Sequence, residues 1–207
     1  MSTGHTREHA SKLRTRRRLS RAERHRQLLD VAWRLVREEG TDALTLPRLS
    51  DEADITKPVV YDHFGTRDGL LIALYKDFDT RQTAIFDAAL RSSEPTLEGT
   101  ARVIATSYVE CVLTQGREMP GVLAALAGSP EMEGVKREYQ RAFIEKCRRS
   151  LAAFTGPRGV AQAAFWAMLG AADALSHAAV TGEITARQAH DELFETIVSI
   201  VSRSSGH

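Results

Sequence analysis

Between residues 21 and 39 the apolar positions Leu28, Ala32 and Leu35, with Leu29 and Val36 beside them, recur every three or four residues. That interval lays them along one side of a helix, where a strand would alternate them. Gly40 follows as a C-cap, so the pattern predicts a helix over 21–39. In the next stretch, Thr41 to Ala53, Thr45 serves as an N-cap and Pro47 sits in the first turn. Leu46, Leu49 and Ala53 then share one side, which predicts a second helix of two turns. Asp54 belongs to the few residue types that accept a left-handed turn, and Ile55 is an apolar plug behind it.

The stretch Ile55-Thr-Lys-Pro-Val-Val-Tyr-Asp-His-Phe64 carries two competing patterns. Its β-branched and aromatic residues suit a short strand, whereas Pro58 just after Thr56 and Lys57 suits the first turn of a helix. As a strand it would be confined to a sheet edge, and Asp62 would point inward with Val60 and Phe64. As a helix, Thr56 caps the amide of Val59, Pro58 sits where its missing N–H is harmless, and Val60 and Phe64 fall at i and i+4 on one buried face. The helix accounts for more residues, with either Thr56 or Lys57 as its cap because a residue before proline resists helical angles.

Beyond Leu71 no strand alternation and no repeat interrupts the helical spacing. Helices are expected over about 67–92, 97–115, 120–127, 131–154, 159–181 and 185–203, punctuated by Ser-Ser-Glu-Pro95, Gly-Ser-Pro130, Thr-Gly-Pro157 and Gly182. The fold class is therefore all-α, with about nine helices.

Charge adds an asymmetry that the pattern alone does not show. The chain of 207 residues has a formal net charge of only +1. Yet nine Lys/Arg stand against two Glu between Arg7 and Arg26, a surplus of seven that leaves the remainder at −6. A basic arm on an acidic body suits a polyanion met by one end of the molecule, or else a solubilising tail. The arm is not followed by the apolar segment of a secretion signal, and the longest apolar run, Ala163 to Ala172, is half the roughly 20 residues needed to cross a bilayer. Cys111 and Cys147 show neither CxxC nor Cys/His ligand spacing. The expectation is a soluble, cytoplasmic protein with no membrane partner, no metal and no cofactor.

Two short helices joined by a tight turn, the second with Thr56, Lys57, Val59 and His63 outward, have the shape of a helix-turn-helix. Residues 21–75 resemble the DNA-binding domain of the TetR family of bacterial transcriptional regulators. The likeness rests on the first helix ending in Glu-Glu-Gly, the Ala-Leu-Thr-Leu entry, the Tyr-Asp-His-Phe run and Arg67 three positions after Phe64. Asp54 stands where that family often has glycine. The resemblance implies a three-helix DNA-binding domain at 21–81, with the helix-turn-helix motif at 45–64, preceded by the basic arm at 1–20. A larger effector-binding and dimerisation domain follows at 82–207.

Specific binding needs cations and small donors on phosphates, and a few side chains at base edges. Lys57 can reach a guanine edge or a phosphate, while Pro58 and Val59 offer apolar contact that suits a thymine methyl. The resemblance places Tyr61 and His63 on phosphates, and Thr45, Arg48, Thr56 and Arg67 complete the expected DNA-binding set. Tyr61 and His63 could instead pack on the first helix, and Asp62 is expected to face solvent or form a salt bridge. The arm could enter a narrow minor groove or attract phosphates generally.

In the C-terminal part, the alanine-rich helix around 161–179 and the stripe of Leu193, Ile197 and either Ile200 or Val201 are candidates for a dimer contact, the role the family gives its last two helices. Asp173 and His177, one turn apart, form either a hydrogen-bonded pair or a metal-compatible pair. An apolar or amphipathic effector would lie among Phe86, Tyr108, Cys111, Met119, Phe143 and Trp166, residues whose alternative role is plain core. The function implied is a homodimeric repressor on a palindromic operator, released by a small molecule. A sequence-blind architectural DNA binder is the alternative. An enzyme is not expected, since His63, His177, Cys111 and Cys147 make no visible nucleophile–base pair.

Overall fold

The computed structural model describes residues 19–205; the basic arm expected at 1–20 falls largely outside this range. The described residues form nine α-helices and no strand: α1 (Arg21–Glu39), α2 (Leu46–Ala53), α3 (Lys57–Phe64), α4 (Arg67–Ser92), α5 (Leu97–Glu118), α6 (Pro120–Ala125), α7 (Pro130–Leu151), α8 (Gln162–Thr181) and α9 (Ala186–Ser205). Short polar residues start most of them, because a side-chain oxygen there satisfies an amide that the helix leaves unpaired. Ser20 and Glu23 make a reciprocal capping box on α1, and Thr45, Thr66, Thr96 and Ser129 cap α2, α4, α5 and α7. The Thr185 hydroxyl likewise accepts from the Gln188 amide at the start of α9.

Several boundaries shift from expectation for local reasons. α5 continues one turn beyond Gln115, and α7 gives way at Ala152 to a 3₁₀ turn over Ala152–Phe154. α8 begins only at Gln162, after the Gly-Pro and Gly positions upstream. The α3 cap differs too. Thr56 is the N-cap residue but its hydroxyl makes no capping bond; its backbone carbonyl accepts from the amides of Val59 (3.0 Å) and Val60 (3.3 Å) instead.

Two apolar clusters organise the chain. The first gathers Leu28, Leu35, Leu49, Val60, Phe64, Leu70, Leu74 and Phe78 from α1–α4, and also takes in Met119 and residues from α6 and α7, including Val122, Met132 and Val135. At Gly121 in α6 the approach is so close that a Cβ would sit 2.4 Å from the Thr41 hydroxyl oxygen. The second cluster joins Phe86 to α5, α7, α8 and α9 through Ile104, Val109, Ile144, Phe165, Leu169, Leu193 and Ile197. α4 is thus shared by both. Beside the first cluster, Asp77 of α4 is buried and accepts hydrogen bonds from Trp33 Nε1 (2.7 Å) and from the Arg26 guanidinium, with Arg81 3.5 Å away. One carboxylate therefore ties α1 to α4.

α8 is the one described helix with the length and apolar composition of a membrane-crossing segment. Phe165, Met168, Leu169, Ala172 and Ser176 hold one side of it in the second cluster, while Trp166 and Val180 stand exposed on the other.

Candidate nucleic-acid interface and cavity

α3 is a poor helix former by composition, so packing must hold it. Val60 (0% exposed) and Phe64 (7%) supply that packing, one turn apart against α1, α2 and α4. The turn that aims the helix is built by Asp54, at φ 52° and ψ 46°, and by Ser50, whose buried hydroxyl donates to the Ile55 carbonyl. Asp62 pairs with Arg21 of α1 at 2.6 Å, so the one acidic side chain of α3 is neutralised at its edge.

The outward residues are those the helical pattern selects. Thr56, Lys57 and Pro58 are exposed, as are Val59 (38%) and Tyr61 (47%). Two large apolar or aromatic side chains on the open face of an eight-residue helix, beside a lysine, make a surface fit for groove contact. Thr45 is exposed at the start of α2. His63 is only partly exposed and leans on α1, its ring centroid 5.5 Å from that of His25. Burial, Arg21 and the neighbouring His25 lower the His63 pKa, and burial with Arg26 and Arg21 lowers that of His25.

Two expected phosphate ligands bond to other groups of the chain. Arg67 donates to the carbonyls of Leu44 (2.9 Å) and Thr41 (2.8 Å), bracing the α1–α2 loop. Arg48 is held by Glu39 (2.5 Å) and Glu52 (3.0 Å), and its guanidinium keeps the Glu39 carboxyl below the usual range. A guanidinium so engaged acts first on the frame that aims α3.

A cavity of about 780 Å³ opens between α4, α5, α7 and α8. Phe86, Tyr108, Cys111 and Phe143 line it as expected, but Trp166 and Met119 do not: Trp166 is on the outer side of α8, and Met119 is fully buried in the first cluster. Tyr75 and Asp79 of α4 and Tyr139 of α7 line it as well, which the sequence reading missed. Their one-turn spacing, Tyr75 to Asp79, was the available signal. Asp173 also faces the cavity, and it accepts from the Tyr108 hydroxyl rather than pairing with His177. Burial and Asp79 push the Cys111 thiol up to about 12, so it stays protonated at neutral pH. No group of three His, Cys, Asp or Glu able to hold a metal ion occurs among the described residues.

An all-helical protein with a helix-turn-helix near the start of its described residues is the class these features define. Residues 28–74 match the model of the bacterial regulatory proteins of the tetR family, and no curated protein matches the chain. Among solved structures, a TetR-family transcriptional regulator from Streptomyces coelicolor is 22% identical, with a TM-score of 0.60 over 90% of this chain and 91% of that one. A TetR-like transcriptional regulator from Rhodococcus sp. RHA1 is 23% identical, with a TM-score of 0.57 over 87% and 97%. The multidrug binding protein EbrR, complexed with imidazole, is 21% identical, with a TM-score of 0.61 over 84% and 89%; it is also known complexed with ethidium. The family match lies within residues 28–74, and over most of the chain the likeness to these structures is one of fold.

Proposed function

We propose that this chain works in the cytoplasm as a homodimeric repressor, with residues 21–81 binding a palindromic operator and residues 82–207 binding a small organic effector and the second copy. The observation that carries the reading is α3: its anchors are buried, and Thr56, Lys57, Pro58, Val59 and Tyr61 are all presented outward from one rigid turn. Thr45 and His63 flank this face, and Arg48 and Arg67 support it from behind. The exposed side of α8, with Trp166 and Val180 uncovered among the described residues, is of the kind a second copy covers together with α9.

The cavity supports an effector because ligand sites are concave, largely apolar and carry a few polar groups. EbrR, of the same fold, binds imidazole and ethidium in its solved complexes. Release of DNA by an effector requires it to prefer the non-binding state, by about 10⁴-fold for a near-complete switch. Selection of bound sequences from a random DNA pool tests the proposal. A palindrome with half-sites about one helical turn apart is the expected result. Retention of the pool without enrichment would instead favour a sequence-blind architectural binder.

A further inference from the structure

Where α1 and α3 meet, three rings close on one another. His25 of α1 lies 5.5 Å from His63 of α3 and 5.3 Å from Phe64, centroid to centroid, and His63 lies 6.0 Å from Phe64. Both imidazoles are partly exposed, so each can trade a proton with solvent. The charges around them are chiefly cationic. α1 supplies Arg21, Arg24 and Arg26, while the acids are Asp62 of α3 and Asp77 of α4. Each acid is already bonded to an arginine, Asp62 to Arg21 at 2.6 Å and Asp77 to Arg26, whereas Arg24 donates to the uncharged Gln27. On α2, Arg48 and Glu52 are bonded to one another and to Glu39 and Arg34 of α1. A proton on either imidazole therefore meets a surplus of positive charge, and a proton on the second ring would meet the first as well.

We infer that DNA binding by this chain is proton-linked through the His25–His63 pair: a duplex phosphate arriving beside His63 reverses the local field and draws a proton onto the pair, so that affinity rises as pH falls. This goes beyond the reading of α3 as the DNA-contacting helix, with Lys57 and Tyr61 exposed on it, and rests on that reading. Backbone phosphates keep their charge through the window in which histidine titrates. The proton comes from solvent and stays on a ring nitrogen, and no bond to DNA forms. Burial and the arginines keep both rings neutral at pH 7 in the free protein. The sign is thus opposite to that of stability: a charge on the pair is unfavourable in the free chain, and in the complex a phosphate offsets it.

Isothermal titration of the full chain with a random-sequence duplex and with the sequence enriched by selection, in two buffers of different ionisation enthalpy, counts the protons exchanged. Net uptake of about half a proton per protomer near pH 6 is expected, with affinity at fixed salt rising up to about tenfold between about pH 7.5 and about pH 5.5. His63→Gln should lose most of the uptake. His25→Gln should keep it but move it to higher pH, because His25 no longer opposes a charge on His63. A purely structural role for either ring would move the thermal midpoint and leave the proton count alone. Absence of uptake in wild type, release in its place, or uptake unchanged in both variants overturns the inference, as does failure to bind either duplex. The random duplex carries the phosphates without the operator sequence, so a failure of the palindromic-operator reading alone leaves the proton count intact.

Discussion

α3 and α4 solve the same problem, serving two masters, in opposite ways. The eight residues of α3 divide their roles by face: Val60 and Phe64 hold, while Lys57, Val59 and Tyr61 are free to touch a partner. The 26 residues of α4 interleave theirs. Leu70, Leu74, Asp77 and Phe78 belong to the packing with α1, yet Tyr75 and Asp79, between and beside them, line the cavity. A substitution on α3 can therefore be confined to stability or to DNA contact, whereas one between residues 75 and 81 of α4 disturbs both ends of the molecule.

The harshest way to break this contrast is Val60→Asp, which places a carboxylate at a fully buried position within the first apolar cluster. It should remove about 4 kcal/mol or more of stability and abolish operator binding with every outward residue of α3 intact. Chemical denaturation alongside a gel-shift titration checks it, and retained operator affinity would show that α3 does not depend on its anchors.

Asp77→Ala comes next. It leaves Trp33 Nε1 without its acceptor and Arg26 without its ion pair, a loss of about 2 kcal/mol given that Arg26 is largely solvated. Denaturation midpoints measure the loss. Because Asp77 joins α1 to the cavity-bearing helix, the same variant should weaken the response of operator binding to a bound effector; an unchanged response would place the coupling elsewhere.

Lys57→Ala sharpens the other half of the contrast. It should leave the thermal midpoint unmoved and lower operator affinity about tenfold if the lysine reads a guanine. If it instead holds a phosphate, affinity should fall uniformly across sequences and the salt slope should shrink by about one. Affinity measured on operator and random DNA at several salt concentrations separates the two outcomes.

The smallest effect concerns pH. His25 and His63 both have folded-state pKa values below the ordinary 6.5, so the unfolded chain binds their protons first. Their contribution to stability is complete above that value and is lost as pH falls through the lowered folded values. A thermal midpoint that declines between about pH 7.5 and about pH 5.5, with a shallower decline in His63→Gln, is the expected record.

These two helices also show why some of the molecule could be read from its sequence and some could not. α3 was legible because a two-turn amphipathic helix has few ways to be buried, and Pro58 fixed its start. The partners of Arg67 and Arg48 within the chain were not, since a long side chain at a helix start reaches a phosphate, a carbonyl or a carboxylate with equal ease, and only the position of neighbouring segments decides. Phe86, Tyr108, Cys111 and Phe143 face inward by periodicity, but a void among them depends on how four helices meet, which no single helix records. Trp166 was misplaced because nearly every position of α8 is apolar, so its core side and its outer side carry the same signature.

Gly121 gives the junction between α6 and the α1–α2 loop a direction. With only a hydrogen separating the helix from the Thr41 side chain, and with the Thr41 carbonyl pinned by Arg67, movement inward meets a steep repulsive wall while movement outward forfeits only weak dispersion. Residue 121 therefore sets how closely α6 can lie against the α1–α2 loop, and any side chain larger than hydrogen there would hold the two apart.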